Sequence, residues 1–362
     1  MIQFHKGNFN TISSNYHISQ NIEYFWKKEM PKILSFDIGD YELLGNICYI
    51  SVGMVANANE KIAKGEFKKD DLISESYSEI NNKKYVEGKL ISRYKIEKIK
   101  YFEWGTDRSP KRLRRPTFPE LYEGKKIMRG RMVDGIIDVN NIMCNHTIVV
   151  FKKFIDISNI TNKSIVGSIT KKNQNFTRVD LEELSINYKY EYLLALINSK
   201  FAKEYFNVVR REKIKNMFYP DDFRKLPIKA LEDQTIFVNI VNILQFLYQY
   251  GGNKEIIDFF DNKLLNFMIY EIYFEDKLKE AGYYQDLLKE IKDKIVEIEY
   301  GKWIKLKFKS PLNDEEQDEK NRIETKNIEI INEIYNSVNT ESVNNKIENM
   351  KEFDWIKKVE IT

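Results

Sequence analysis

The spacing of apolar residues changes near residue 188, and this change constrains the fold more than any other feature of the sequence. Before it, aromatic and β-branched runs such as residues 47–55, 83–96 and 146–154 are separated by Gly, Asn and Pro. Such runs predict short strands joined by long loops. After it, apolar residues recur at helical spacing. These residues are Tyr192, Leu193, Leu196, Ile197, Phe201 and Tyr205. The sequence therefore predicts an α+β chain, a twisted mixed sheet followed by helices.

Proline and glycine divide the helical part. Pro220 and Pro227 prevent a continuous helix, and the next helical region stops at the glycine pair of residues 251–252. We expect a domain boundary near residue 230. The predicted units are a first, sheet-containing domain of residues 1–230 and a mainly helical C-terminal domain of residues 231–362.

Three segments of the C-terminal part carry weaker signals. Residues 302–309, KWIKLKFK, favour a strand. Residues 310–322, SPLNDEEQDEKNR, are polar and acidic, which is typical of an exposed linker. The last forty residues predict a weak helical tail that is rich in Asn.

Charge is concentrated in one stretch of a nearly neutral chain. The net charge is +3, yet residues 108–131 hold nine Lys or Arg against two Glu, a local balance of +7. The rest of the chain therefore sums to −4. Such a stretch suits phosphate binding, because neutralised phosphates release their condensed counterions. The alternative is a solvated surface with no ligand.

Motifs for catalysis are missing from the sequence. It has no Gly-rich phosphate loop and no dinucleotide-binding glycine cluster. It also has no tetrad of Asn or Asp, two prolines and an aromatic residue, with which amino-methyltransferases hold a flipped base. We therefore predict no catalytic residues in this chain. The nearest pattern for a nuclease is Asp221 with Glu275 and Lys277.

Histidines and cysteines give no sign of a metal site. His5, His17 and His146 lie apart from one another and from any Asp or Glu pair at ligand spacing. Cys48 and Cys144 also lie far apart, so we expect two reduced, buried thiols. No run of residues reaches the length of a membrane helix, and the first residues lack a signal-peptide pattern, so we expect no membrane partner and a cytoplasmic location.

Five segments follow one another along the chain: YVEGKLISRYKIEKIKYFEW (85–104), RRPTFPELYEGKKIMRGR (114–131), YEYLLALINSKFAKEYF (190–206), FRKLPIKALEDQ (223–234) and LLNFMIYEIYFEDKLKEAG (264–282). In this order they resemble the C-terminal specificity region of TaqI-like and Eco57I-like adenine methyltransferases, a region related to type I specificity subunits. The family's methyltransferase domain is absent upstream. The resemblance implies a target-recognition domain that works with a separate catalytic subunit, belongs to a larger enzyme or is a remnant.

The resemblance implies sequence-specific binding of double-stranded DNA, as the specificity part of a type II (IIG-like) adenine-N6 methyltransferase or restriction-modification system. No cofactor is expected in this chain, and S-adenosylmethionine is expected in the methyltransferase partner. Candidate DNA contacts in the basic stretch are Arg108, Lys111, Arg112, Arg114 and Arg115, with Lys125, Lys126, Arg129 and Arg131 as a mixture of DNA contacts and structural strand residues. A second basic stretch adds Arg210, Arg211, Lys213 and Lys215, whose alternative role is to solvate a helix end.

Two other choices stay open from the sequence. Arg93 and Tyr94 are candidates for DNA contact or for the core of the fold. An apolar stripe suits either docking onto a methyltransferase domain or packing within this chain. The stripe consists of Leu264, Leu265, Met268, Ile269, Ile272 and Phe274. The competing functions are a cryptic metal-dependent nuclease and an interaction module that binds a methyltransferase without DNA affinity.

Overall fold

The computed structural model describes residues 40–132, 134–173, 175–209, 217–283 and 287–360. These residues form an α+β structure with several small sheets and many helices, which confirms the predicted fold class. The strands are β1 (Glu42–Leu43), β2 (Cys48–Val52), β3 (Val55–Ala58), β4 (Ile73–Ser74), β5 (Lys83–Val86), β6 (Ile91–Ser92), β7 (Lys95–Ile96), β8 (Lys100–Phe102), β9 (Leu113–Arg115), β10 (Lys126–Gly130), β11 (Gly135–Asp138), β12 (Met143–Cys144), β13 (Ile148–Lys153) and β14 (Pro227–Ile228).

A four-stranded antiparallel sheet, in the order β11-β10-β13-β2, is buried on both of its faces. Burial on both faces extends to charged residues, since Lys126, Arg129 and Lys152 are buried on its strands. Met128 and Val150 are paired in register and face a core shared with the smaller sheets. On the neighbouring pair, the ring of Phe151 contacts that of Phe223, with centroids 5.2 Å apart. Layers on both sides thus fix the position of β10, the strand that carries much of the basic stretch.

A second four-stranded sheet, in the order β12-β5-β8-β4, is mixed, because β12 runs parallel to β5 and the other pairs are antiparallel. Two-stranded pairings join β1 with β14, β3 with β9, and β6 with β7. Gly88 lies just after β5, where an added Cβ would come within 2.5 Å of the Thr147 hydroxyl, so a larger residue would displace the Thr147 side chain.

The helices are α1 (Leu44–Ile47), α2 (Lys163–Lys172), α3 (Arg178–Ile186), α4 (Tyr190–Asn198), α5 (Lys200–Val209), α6 (Pro220–Phe223), α7 (Thr235–Tyr250), α8 (Lys254–Asp258), α9 (Leu265–Tyr273), α10 (Glu275–Glu280), α11 (Leu287–Ile291), α12 (Tyr300–Lys307), α13 (Asp314–Val338), α14 (Glu341–Lys351) and α15 (Asp354–Glu360). A π-helical turn, Phe259–Leu264, joins α8 to α9. Helix α7 ends where Gly251 adopts a φ of 92°, a left-handed conformation that suits glycine at a helix end. In the described part of the chain, no helix is both long and apolar enough to cross a membrane.

Amide side chains on two helices form hydrogen bonds with backbone groups at the edge of the central sheet. Asn198 at the end of α4 accepts from the backbone N–H of Gly135 and donates to its carbonyl, at 2.8 and 3.0 Å. Gln245 on α7 accepts from the N–H of Ile137 at 2.7 Å. Unpaired edge groups would be costly when buried, so these contacts hold α4 and α7 against β11. Contacts therefore cross residue 230, and residues from Asp40 onward form one compact unit.

Two segments of the C-terminal part differ from the sequence prediction. Residues 302–309 form most of helix α12 rather than a strand, with Tyr300, Trp303 and Ile304 buried on one face. Residues 314–322 begin the 25-residue helix α13 instead of an exposed linker. The Asn313 side chain accepts from the N–H of Glu316 at 2.8 Å, and the Glu316 carboxylate accepts in return from the N–H of Asn313 at 3.3 Å. This reciprocal cap begins the helix within a polar, acidic segment.

The apolar stripe of residues 264–274 is buried within this chain, and no member is more than 8% exposed. It is therefore core packing rather than a docking surface. Cys48 and Cys144 are unpaired and buried, as predicted. Burial raises the pKa of both thiols, that of Cys144 to about 12.

Candidate nucleic-acid interface

The basic loop, defined here as residues 104–119, leads from β8 through β9 to a short turn that begins at Pro119. Arg108 lies on its inner side, where it donates two hydrogen bonds to the buried carboxylate of Glu103. Although burial acts to raise the pKa of Glu103, the hydrogen bond from Arg108 lowers it. Arg112 pairs with Glu66 at 2.6 Å. Arg108 and Arg112 thus brace the loop through acids, while the Lys111 side chain is exposed.

The end of the loop presents two arginines to solvent. Arg114 and Arg115 on β9 are both exposed. The Arg115 guanidinium donates to the Ser51 hydroxyl at 3.2 Å, which brings it to the edge of β2. Both arginines, together with Arg131 and Lys69, act with burial to lower the pKa of His146. Burial is the largest cause. These four cations make the surroundings of His146 positive, and they include two residues of β9 and one that directly follows β10.

Lys126 and Arg129 lie inside the protein, so within the predicted mixture of DNA contacts and structural strand residues their burial favours the structural role. Lys126 is fully buried on β10 and pairs with Asp138, the residue directly opposite on β11. Arg129 is 2% exposed, and its guanidinium lies 4.9 Å from the ring centroid of Phe223. Burial lowers the pKa of Arg129 to about 10, while Asp134, at 3.7 Å, acts in the opposite direction.

Lys125 and Arg131 flank this buried pair of basic residues. Lys125 forms an ion pair with Glu191 on α4 and is partly exposed. Arg131 lies just beyond β10, with its guanidinium 5.3 Å from the ring centroid of Tyr219. Its Nε is buried without a hydrogen-bond partner among the described residues. Of the predicted strand residues, Arg131 is therefore the one whose guanidinium remains available to a ligand.

An open groove of about 540 Å³ brings these observations together. It runs between β2, the end of β9, the end of α2 and the turn at α6. Its charged lining residues are Arg115, Arg131, Lys172, Arg224, Asp221 and Asp222. Asp221 pairs with Arg224, and Asp222 accepts from the N–H of Tyr219 at 2.8 Å, which caps α6. The groove therefore keeps an excess of positive charge.

The groove cations are close enough to influence one another. Burial lowers the pKa of Lys172, and repulsion from Arg224 and Arg115 lowers it further, whereas Asp221 raises it. Burial also lowers the pKa of Arg224. Converging cations repel one another unless an anion lies between them. The arrangement suits a phosphate or another multiply charged anion.

The sequence matches no family model, and no curated protein matches it.

Sequence reasoning missed Lys172 and Arg224 as groove residues. Lys172 ends helix α2, where a pair of lysines is common, and Arg224 lies in the FRKLPI segment, where the sequence suggests only a family-like motif. Neither position carried a distinguishing signal. Arg210, Arg211, Lys213 and Lys215 lie outside the described residues.

The structure also places the residues of two alternatives from the sequence, the choice between DNA contact and core for Arg93 and Tyr94, and the metal-dependent nuclease. Arg93 is largely buried and binds Asp134, Asp261 and the carbonyl of Asn198, while Tyr94 is fully buried, so both belong to the core of the fold. Asp221 lines the groove, whereas Glu275 lies on α10 and pairs with Lys279. Among the residues described, no three His, Cys, Asp or Glu side chains form a group suited to a metal ion.

Proposed function

We propose that this chain binds double-stranded DNA through the groove, as the target-recognition part of an adenine-N6 methyltransferase or restriction-modification system. In this proposal the methyltransferase centre and its S-adenosylmethionine belong to another domain or subunit. One observation carries the proposal. Arg115, Arg131 and Lys172 converge on the groove, and none of them has an acidic partner within the described residues.

Cations without an acidic partner in a groove fit a polyanion better than a small neutral ligand. A DNA backbone carries closely spaced charges, and each phosphate contact releases counterions that favour binding. Arginine donors in a fork also suit phosphate oxygens and guanine edges. The ion pair of Asp221 with Arg224 at one side of the groove limits how much of the surface is positive. We expect a narrow phosphate track rather than a broad basic face.

The target-recognition role rests on the order of the family-like motifs, and their structural roles support it. Arg93 joins the segment 85–104 to the helices through Asp261, and Gly88 of the same segment accommodates Thr147. The LPI part of segment 223–234 forms β14, which pairs with β1. The motif residues thus build the scaffold that positions the basic loop and Arg131, as a recognition domain requires.

The experiment measures fluorescence-anisotropy binding to random duplex DNA over a series of salt concentrations. The test variant R115A/R131A/K172A removes three groove cations. The control K254A/K263A/K305A removes three exposed lysines from α8, the π-turn and α12, none of which lines the groove. Each lost phosphate contact flattens the slope of log affinity against log salt by about 0.9. We expect a flattening of about 2 to 3 for the test variant and little change for the control.

If the slope flattened equally in the test and control variants, the groove would be refuted as the DNA-binding site. Such a result would show that binding responds only to the overall charge. If the unmodified chain fails to bind DNA even at low salt, the interaction-module reading replaces the proposal. Selection from a randomised duplex pool tests recognition separately. A target-recognition domain enriches one sequence, whereas a non-specific binder enriches none.

A further inference from the structure

A second, smaller pocket lies where the basic loop begins and ends. It has a volume of about 240 Å³ and is open to solvent. Trp104, the first residue of the loop, and Pro119, the last, both line it. The remaining lining residues are Lys83, Tyr122, Glu123, Asn141 and Met143. The pocket therefore sits beside the loop but does not share a lining residue with the groove.

The floor of this pocket is apolar and rigid. Tyr122 and Met143 are buried, and Trp104 packs against the same core while remaining partly exposed. The Tyr122 hydroxyl hydrogen-bonds with that of Thr117 at 2.8 Å. The backbone of Trp104 is held on both sides, since its N–H donates to the carbonyl of Ile80 at 3.2 Å and its carbonyl accepts from Asn82 at 3.1 Å. These contacts hold the backbone of Trp104 in place, and its indole lines one side of the pocket.

The rim offers hydrogen-bonding groups of both kinds. The Asn141 side-chain oxygen accepts from the N–H of Gly124 at 2.7 Å, which leaves its amide N–H groups for a ligand. The Lys83 ammonium, the Glu123 carboxylate and the Trp104 indole N–H form no side-chain hydrogen bond within the described part of the chain. One lysine and one glutamate make the rim neutral, in contrast to the groove. The pocket therefore favours a neutral, planar ligand with donors and acceptors at its edge.

We infer that this pocket binds a single nucleobase, stacked on Trp104 with its edge toward Lys83, Glu123 and Asn141. Bases stack on aromatic side chains and present donors and acceptors at their edges. The volume lies below the range of about 300 to 1,000 Å³ that larger ligands occupy, which favours one ring system. The neutral rim distinguishes a base from a phosphate.

The base can come from two sources, a free nucleoside or a nucleotide extruded from DNA. The position of the pocket at the two ends of the basic loop favours DNA, and this part of the inference rests on the proposed function. A base turned out of a duplex needs a pocket with stacking and edge contacts, as here. Binding of the base itself does not depend on the groove, so the two proposals can fail separately.

The first test titrates the ¹⁵N-labelled chain with neutral nucleosides and follows the four indole N–H signals by NMR. Nucleosides lack phosphate, so they cannot report on the groove. We expect a saturable shift of the Trp104 signal, which the variant W104F assigns by its absence. The groove variant R115A/R131A/K172A should bind nucleosides with unchanged affinity. No saturable shift of the Trp104 signal with any of the four nucleosides would overturn the inference.

Variants of the rim and wall test the geometry. K83A/N141A removes two exposed side chains and should weaken binding. Circular dichroism checks its fold, because Asn141 adopts a φ of 57° and accepts a hydrogen bond from Gly124. Because loss of stacking weakens binding of one base by about fivefold or more, W104A should bind far less than W104F, which keeps a ring. Tyrosine and aliphatic signals report binding in these variants. Equal affinity of W104A and W104F would overturn the stacking geometry, and failure of W104A to fold leaves the K83A/N141A comparison to decide.

A duplex with one unpaired 2-aminopurine distinguishes the sources. If the base comes from DNA, its fluorescence changes on binding and this change is lost in W104A/N141A. If nucleosides bind and the duplex signal is the same for both proteins, the pocket serves a free nucleoside, which overturns the DNA source and keeps the base site.

Discussion

Arg93 lies in a buried network of hydrogen bonds and ion pairs, and its removal should destabilise the protein more than any surface change. Its guanidinium donates to Asp261 through two hydrogen bonds at 2.5 Å, to Asp134 at 2.5 Å and to the carbonyl of Asn198 at 2.7 Å. Although burial acts to raise the pKa of Asp134, Arg93 and Arg129 lower it. Asp134 lies three residues after Arg131 of the groove. The network therefore ties the groove to the helices.

The magnitude follows from what R93M leaves behind. The Asp261 side chain is 1% exposed. Without Arg93, its carboxylate would keep one side-chain hydrogen bond in the described part of the chain, which the Tyr248 hydroxyl donates at 2.6 Å. Removing one partner of a buried ion pair costs about 3 to 5 kcal/mol, because the remaining charge is stranded. In R93M/D261N the stranded carboxylate is gone. The double variant should therefore lose less stability than the sum of the single variants, by about 1 kcal/mol or more.

Urea unfolding at pH 7, followed by circular dichroism, measures the free energy of unfolding for the four proteins of this cycle. The slope with urea must agree among them for the comparison to hold. A loss below about 1 kcal/mol for R93M would refute the reasoning, since it would place the cost in the range of surface pairs. Additive single-variant losses would refute the direct coupling of Arg93 with Asp261.

Two further predictions concern stability. N313A should lower the free energy of unfolding by about 1 kcal/mol, because it removes the cap of α13. The control is D318A, which changes an exposed residue of the same helix. If D318A lowered the free energy of unfolding as much as N313A does, the role of the cap would be contradicted. Burial lowers the pKa of Lys152 from 10.5 to about 8, so between these pH values the unfolded chain binds more protons and stability rises with pH. Urea unfolding should show that the unmodified protein gains stability relative to K152M from pH 8 to 10.5. From pH 6 to 7.5 the difference in stability between the two proteins should stay constant. If the difference stayed constant over the whole pH range, the shifted pKa would be contradicted.

Local sequence signals predicted those elements whose conformation depends mainly on the residues within them. Gly251 ends α7 because glycine adopts the left-handed conformation at low cost. The apolar run of residues 148–151 forms the first four residues of β13, as its β-branched residues predict. The segment 302–309 was ambiguous, because apolar residues at 303, 304, 306 and 308 fit either period, and burial of Trp303 and Ile304 against the rest of the chain selected the helix.

By itself, the sequence determined the α+β class, the main breaks between elements and the location of the basic stretch along the chain. It did not distinguish among the nine basic residues of that stretch, because charge counts say nothing about direction. Tertiary structure assigned Lys126 to Asp138, Arg129 to a cluster of aromatic rings and Arg131 to the groove. The physical reason is that burial and pairing depend on residues far away in sequence. Only the folded chain decides which cations are neutralised and which stay available to a ligand.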